Sequence, residues 1–190
     1  MSSDPIDIVF GQVLAELAAC TDQISGEGLD QAVALVEAAP RVFVVGAGRS
    51  GLCMQAFGMR LMQLGITGFV VGETMTPSIT AGDLLIIGSG SGKTKTLQVM
   101  TEKAQQQEAR ILLFTADAAS PLAEMADHLV VIPGPLSEDA EGEQGLTSVQ
   151  PLGTLFEQCL LILCDTLILA LMQQMGVDEA QMAQRHANLQ

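Results

Sequence analysis

The 190-residue chain is short of cations, with eight lysines and arginines against twenty-two aspartates and glutamates and a formal charge of −14. That balance argues against a nucleic acid or an anionic membrane as its principal partner, since both are held by clustered Lys and Arg. Its four cysteines, Cys20, Cys53, Cys159 and Cys164, lack CxxC spacing and each lies among apolar neighbours. This predicts buried free thiols in a reducing compartment, and neither disulfides nor a zinc site. The segment Met-Ser-Ser-Asp-Pro has neither the basic nor the apolar region of a secretory signal, so the expected location is the cytoplasm. No uninterrupted apolar run reaches the ~20 residues that span a bilayer: the most apolar stretch, Cys159 to Met172, is broken by Asp165 and preceded by Glu157. It reads as a buried helix, and a helix apolar on nearly every side needs cover on nearly every side, which suggests a subunit interface. There is no Pro/Ser-rich linker and no solenoid period, so residues 1–190, 48% hydrophobic, are read as one domain with a substantial core.

What the chain does have is a recurring pattern. Apolar residues at helical spacing run from Ile6 to Cys20 and from Leu29 to Ala38, and Val42-Phe43-Val44-Val45 then reads as a short buried strand. A helix pattern follows from Gly51 to Leu64. Strand-like runs recur at Gly68 to Val71, Leu84 to Ile87, Ile111 to Phe114 and Leu129 to Ile132, with helices to about Gln107 and near Leu122 between them. Five short apolar strands separated by helices predict a parallel sheet covered on both faces. Pro133 to Gln150 is polar and acidic and is expected to be a mobile or partner-ordered loop before the final helices.

Two glycine-rich turns fall at strand carboxyl ends, where ligands of such sheets bind. In Gly88-Ser89-Gly90-Ser91-Gly92-Lys93-Thr94, glycines let backbone N–H groups turn inward, three hydroxyls add donors, and the following helix adds its positive N-terminal dipole. A phosphate fits such a loop; the competing reading is a merely flexible turn. It is not a P-loop, because Gly88 and Gly92 enclose three residues where that motif requires four. The other turn, Gly46-x-Gly48-x-x-Gly51, satisfies the dinucleotide fingerprint, with Glu73 at the distance of a ribose-binding acid. Against a nicotinamide site stand Arg49 and Ser50 within the turn and the second anion loop at 88–94. Arg49, Arg60, Lys93 and Lys95 lie in or near these turns, so an acidic protein can still carry a locally positive pocket.

Glu157 follows Pro151-Leu152-Gly153-Thr154, where Pro and Thr supply helix-start chemistry. A carboxylate poorly solvated there is a candidate general base; the alternative is a first-turn glutamate serving the helix dipole. His186, close to the last residue of the sequence, is either idle or a proton shuttle. His128 reads as structural, and Asp165 as a buried helix acid paired across an interface, with no catalytic role.

Taken together, Val45-Gly46-Ala47-Gly48-Arg49-Ser50-Gly51, Met59-Arg60-Leu61-Met62, Val71-Gly72-Glu73-Thr74 with Thr76-Pro77, the Ser89–Thr94 loop, Pro151-Leu152-Gly153-Thr154-Leu155-Phe156-Glu157 and Arg185-His186-Ala187-Asn188-Leu189 resemble the 6-phospho-3-hexuloisomerases. These belong to the sugar isomerase (SIS) domain family, and the resemblance runs from about residue 5 to the last residues. It implies a flavodoxin-like three-layer α/β/α fold on a five-stranded parallel sheet. It implies a homotetramer with active sites at subunit contacts, acting on a phosphorylated hexulose without cofactor or metal. The implied reaction interconverts D-arabino-hex-3-ulose 6-phosphate and fructose 6-phosphate, as in the ribulose monophosphate pathway and formaldehyde fixation. By the same resemblance Ser50, Ser89, Ser91 and Thr94 are phosphate ligands, Arg49 lies near the sugar or phosphate, and Glu157 is the base. His186, from a neighbouring chain, is implied to open the ring or transfer a proton. Members usually carry Glu where this chain has Lys93, so no role passes to that position by resemblance; a lysine there either strengthens phosphate binding or points to solvent. An aldose–ketose phosphosugar isomerase, or a regulatory SIS module that binds a sugar phosphate without turnover, shares much of this pattern. The second usually sits beside a basic DNA-binding segment, which this sequence does not contain.

Overall fold

The computed structural model describes residues 5–136 and 146–189. Helices α1 (Pro5–Thr21) and α2 (Gly26–Ala38) precede a βα series: β1 (Val42–Gly46), α3 (Gly48–Leu64), β2 (Gly68–Val70), β3 (Leu84–Gly88), α4 (Lys95–Gln106), β4 (Arg110–Thr115), α5 (Pro121–Met125) and β5 (His128–Val131). Two helices follow, α6 (Thr154–Met175) and α7 (Glu179–Gln184). The strands pair in the order β2-β1-β3-β4-β5, all parallel, which is the flavodoxin-like order expected. Much of the 133–150 loop, residues 137–145, lies outside the described residues.

Alternation along the strands builds the three layers, because successive side chains of a strand point to opposite faces. Val42, Val44, Leu84, Ile86, Leu112 and Phe114 face a core shared with α1, α2, α3 and α6. Phe43, Val45, Leu85, Ile87, Ile111 and Leu113 face the other way, onto Leu97 and Ala104 of α4, Leu122 and Ala123 of α5, and Val71 and Ile79 of the β2–β3 connection. Both faces are covered, so the strands read as continuous apolar runs.

Helix α6 is the centrepiece of the first layer. Leu155, Phe156, Cys159, Leu160, Leu163, Cys164, Leu167, Ile168 and Leu171 are buried, whereas Leu161, Ile162 and Leu169 are 39%, 42% and 60% exposed. At 22 residues it is long and apolar enough, by length and composition alone, to cross a bilayer, although half of its most apolar window is packed inside the protein. The interrupted runs in the sequence understated it, since Glu157 and Asp165 are its only charges. Asp165, expected to be buried by pairing across an interface, is exposed within the single chain, one helical turn from exposed Leu161 and Leu169. The four thiols are free, as expected, with Cys53 only half-buried.

Helix α3 begins at Gly48, earlier than the periodicity placed it, because the glycine turn is part of its first turn. A Cβ on Gly46 would lie 2.9 Å from Gly51 N and 3.0 Å from Gly88 O, and one on Gly51 would lie 2.9 Å from Gly46 O. Side chains at these glycines would push the helix off the strand end, so strand-to-helix packing accounts for this part of the Gly-x-Gly-x-x-Gly pattern.

Candidate active site

Strands β1 and β3 are neighbours in register, with Gly46 opposite Gly88, and the chain leaves them in opposite directions across the sheet. This is the switch point at which a crevice opens beyond the strand carboxyl ends. A cavity of about 280 Å³ lies there, lined by both glycine-rich turns and by the amino end of α6.

Three helices direct their amino ends at this cavity: α3 through Ala47 and Ser50, α4 through Thr94, and α6 through Gly153, Phe156 and Glu157. None of the three has a side-chain hydrogen bond at its N-cap. By contrast α2, α5 and α7, which do not line the cavity, are capped by Ser25, Ser120 and Asp178 accepting from Gly28, Ala123 and Gln181 N–H. Orphan N–H groups and aligned dipoles are thus satisfied elsewhere and left open where they converge. Between them the 88–94 loop is anchored by its own backbone: Ser89 N–H donates to Phe114 O at 3.0 Å and Gly92 N–H to Ser89 O at 3.2 Å. Thr115 Oγ1 and Ala116 N–H hold Gly90 O, each at 3.0 Å. Among the described residues, the hydroxyls of Ser50, Ser89 and Thr94 make no hydrogen bond, and neither do the N–H groups of Gly90, Ser91 and Thr94. Ser91 Oγ accepts from Lys93 N–H at 3.3 Å. The arrangement offers donors on three sides to one anion.

Lys93 lines the same cavity and its ammonium lies 3.3 Å from Asp117 Oδ2. Asp117 is 15% exposed and follows β4, so a carboxylate beside the anion site is neutralised by this lysine. Asp117 lies outside the two glycine-rich turns, although it too stands just beyond a strand carboxyl end.

A carboxylate lines the cavity at Glu157, in the first turn of α6, with its side chain 19% exposed. Arg49 Nε approaches Glu157 Oε2 at 3.1 Å, and Arg49 NH1 donates to Thr154 Oγ1 at 3.3 Å. Thr154 Oγ1 in turn donates to Pro151 O at 2.6 Å, which fixes the start of α6. Burial, reinforced by the Glu157 carboxylate and opposed by Arg49, pushes the Cys53 thiol up; it donates to Glu157 O at 3.4 Å. Cys53 therefore supports the backbone at Glu157 as a neutral thiol. The sequence marks Thr154 as helix-start chemistry and Cys53 as a buried thiol; their contacts with Arg49 and Glu157 are recognisable only once α3 and α6 lie side by side.

The structure brings Arg49, Ser50, Ser89, Ser91, Lys93, Thr94 and Glu157 to one place, but not His186. His186 is exposed on the segment after α7 and lines a separate cavity of about 470 Å³, with Arg60, Gln63, Asp165, Ile168, Leu169 and Met172. Arg60 and Gln63 lie at the carboxyl end of α3, and the helix rises about 21 Å between Arg49 and Gln63. Within one chain, then, Glu157 and His186 stand at opposite ends of α3. Glu73 is exposed and does not line the 280 Å³ cavity. His128 is structural as expected, its Nε2 2.9 Å from Gly28 O. Among the described residues no cluster of His, Cys, Asp and Glu could hold a metal ion.

Comparison with known proteins finds relatives along most of the chain. Residues 35–163 match the model of the SIS domain. The chain is 39% identical over 179 residues to the 3-hexulose-6-phosphate isomerase of Bacillus subtilis, covering 94% of this chain and 96% of that one. It is 42% identical over 167 residues to the protein of the same name from Methylomonas aminofaciens, covering 87% and 90%. Among solved structures, a Methanococcus jannaschii protein whose crystal structure was taken to infer a 3-hexulose-6-phosphate isomerase function superposes with a TM-score of 0.78. It shares 32% identity, covering 97% of this chain and 98% of that one.

Proposed function

This chain belongs to the SIS domain family, and on that premise we propose that it interconverts D-arabino-hex-3-ulose 6-phosphate and fructose 6-phosphate. The observation that carries the reading is the convergence of three uncapped helix amino ends beside a carboxylate held by an arginine. The first is a seat for a phosphate and the second a base within one cavity of about 280 Å³.

Moving the carbonyl from C3 to C2 begins with loss of the C2 proton, which is α to the carbonyl. Glu157 takes that proton, the C–H pair becomes the C2–C3 double bond, and the carbonyl pair moves onto O3. The C2 hydroxyl proton passes, directly or through solvent, to O3 as the double bond collapses and C2–O2 becomes the carbonyl, and Glu157 returns the carbon-bound proton to C3. One carboxylate serves both carbon transfers on one face of the enediolate. The guanidinium of Arg49, 59% exposed and directed at Glu157, supplies positive charge where the oxyanion develops. Ser50, Ser89, Ser91, Thr94 and Lys93 hold the phosphate and so fix C2 and C3 against Glu157. Such positioning is worth up to ~7 kcal/mol of barrier.

Fructose 6-phosphate must open its ring before C3 can react, and His186 is the group assigned to that proton transfer. Its distance from Glu157 within one chain supports a contribution from a second copy, in a homotetramer whose active sites lie between subunits. The exposed apolar residues of α6 are surface that such an assembly would cover. The enzyme is placed in the cytoplasm, in keeping with its free thiols, and in the ribulose monophosphate pathway of formaldehyde fixation.

The test is incubation with fructose 6-phosphate in D2O followed by NMR. Solvent exchange at C3 together with a new 3-ketose is the expected result. Exchange at C1 would make the protein an aldose–ketose isomerase, and binding without exchange at either carbon a sugar-phosphate sensor.

A further inference from the structure

Helix α3 ends in a left-handed residue, Gly65 at φ +101°, whose N–H returns to Met62 O at 3.0 Å while Ile66 N–H returns to Leu61 O at 3.0 Å. These two bonds satisfy two of the four carbonyls that any helix leaves open at its carboxyl end. The other two, Gln63 O and Leu64 O, are both taken by NH1 of Arg185, at 3.2 and 3.4 Å. A cation at this end also complements the helix dipole. The guanidinium lies flat enough against Gly65 that a Cβ there would meet its central carbon at 3.1 Å. Arg185 therefore fills a place that the end of α3 leaves for it, although α7 and α3 are far apart in sequence.

The residue that Arg185 thereby fixes is its neighbour. Arg185 N–H and His186 N–H close onto Met182 O and Ala183 O at 3.0 and 3.1 Å, continuing the last turn of α7. Helix α7 itself starts with a reciprocal capping box between Asp178 and Gln181. His186 Nδ1 lies 3.0 Å from Ala187 O, a contact that turns the ring so that Nε2 faces away from its own segment's backbone carbonyl. An exposed histidine after α7 is thus held in backbone position and ring orientation, and among the described residues its Nε2 has no hydrogen-bond partner.

We infer that Arg185 is a positioning residue, which latches the segment after α7 to the carboxyl end of α3 so that His186 is presented, pre-oriented, to the active site of a second copy of this chain. The inference rests on the reading above that His186 transfers a proton in the reaction. A group held loosely loses the positioning part of its effect, so release of the latch lowers turnover without weakening phosphate binding.

A double-mutant cycle tests it, with R185A, H186N and the double variant assayed for fructose 6-phosphate isomerisation. R185A is expected to lower kcat roughly ten- to hundredfold with KM changed less than about twofold. Adding R185A to H186N is expected to lower kcat no further, and guanidinium ion in the buffer to restore part of the R185A loss. R185K, which keeps a cation at the helix end, serves if R185A does not fold, and its kcat should fall between R185A and the original. Wild-type kcat in R185A, or a loss that multiplies with that of H186N, would overturn the latch. Full activity in H186N would instead overturn the role of His186, and with it the latch; the single variant reads the two failures apart.

Discussion

Arg49 Nε stands 3.1 Å from Glu157 Oε2, linking the first turns of two helices, α3 and α6, that run side by side from the same crevice. The pair keeps a carboxylate in a cavity where three helix dipoles favour negative charge and where the proposed reaction would seat a phosphate. Replacing Glu157 by Gln preserves shape and removes the proton acceptor. Turnover is expected to fall by roughly a thousandfold, the scale of a lost general base. Competitive inhibition by inorganic phosphate should be retained, because its donors lie on the 88–94 loop. Near-normal turnover would remove Glu157 from the base role.

Arg49 reaches both Glu157 and Thr154 Oγ1, which a lysine at the same place cannot do with a single ammonium. Arg49→Lys is expected to lower kcat/KM by about tenfold, a loss of roughly 1.4 kcal/mol of transition-state stabilisation. Arg49 is largely exposed, so the pair contributes no more than about 1 kcal/mol to folding and Tm should move little. A loss of kcat/KM that merely tracked a fall in Tm would assign Arg49 to the scaffold.

The layers of this fold were legible because burial imposes periodicity: the apolar runs of β1, β3, β4 and β5 fall within a residue or two of the observed strands. The anion loop was legible because glycines and hydroxyls have few other reasons to follow a buried strand. The start of α3 was not, since Gly46 and Gly51 are fixed by backbone contacts across the turn that no periodicity encodes. Asp117, Thr154 and Cys53 enter the site only through residues brought from distant segments, Lys93, Arg49 and Glu157 respectively. His186 is the opposite case. Resemblance alone assigned it to a neighbouring chain, and the length of α3 supplies the geometric reason to separate it from Glu157.

If each active site draws Glu157 from one subunit and His186 from another, two inactive variants must complement. Glu157→Gln and His186→Asn are each expected to be severely impaired alone. After mixing by unfolding and refolding, random assembly reunites the intact pair in roughly a quarter of the sites. Recovery of activity on that scale would be measured against each variant refolded by itself. No recovery, with mixed oligomers verified, would place His186 outside the shared site.

Asp83, at the start of the sheet's central strand, is 1% exposed and accepts Arg41 Nε at 2.9 Å and Thr80 N–H at 2.7 Å. Burial alone would push its carboxyl up, but Arg41 and Thr80 together outweigh burial and hold it below the usual carboxylate value of 3.8. A carboxylate whose folded-state pKa is depressed contributes stability that is fully present above the unfolded pKa. That stability is lost as pH falls through the folded-state pKa. Wild-type Tm should therefore decline from pH 5 downward in part through Asp83, and Asp83→Asn should flatten that decline. The variant should also cost about 2 kcal/mol at pH 7, the scale of a lost charge-assisted hydrogen bond that leaves Arg41 partly unpaired. A parallel Tm decline in both proteins between pH 5 and pH 3 would mean that other carboxylates govern the acid limb.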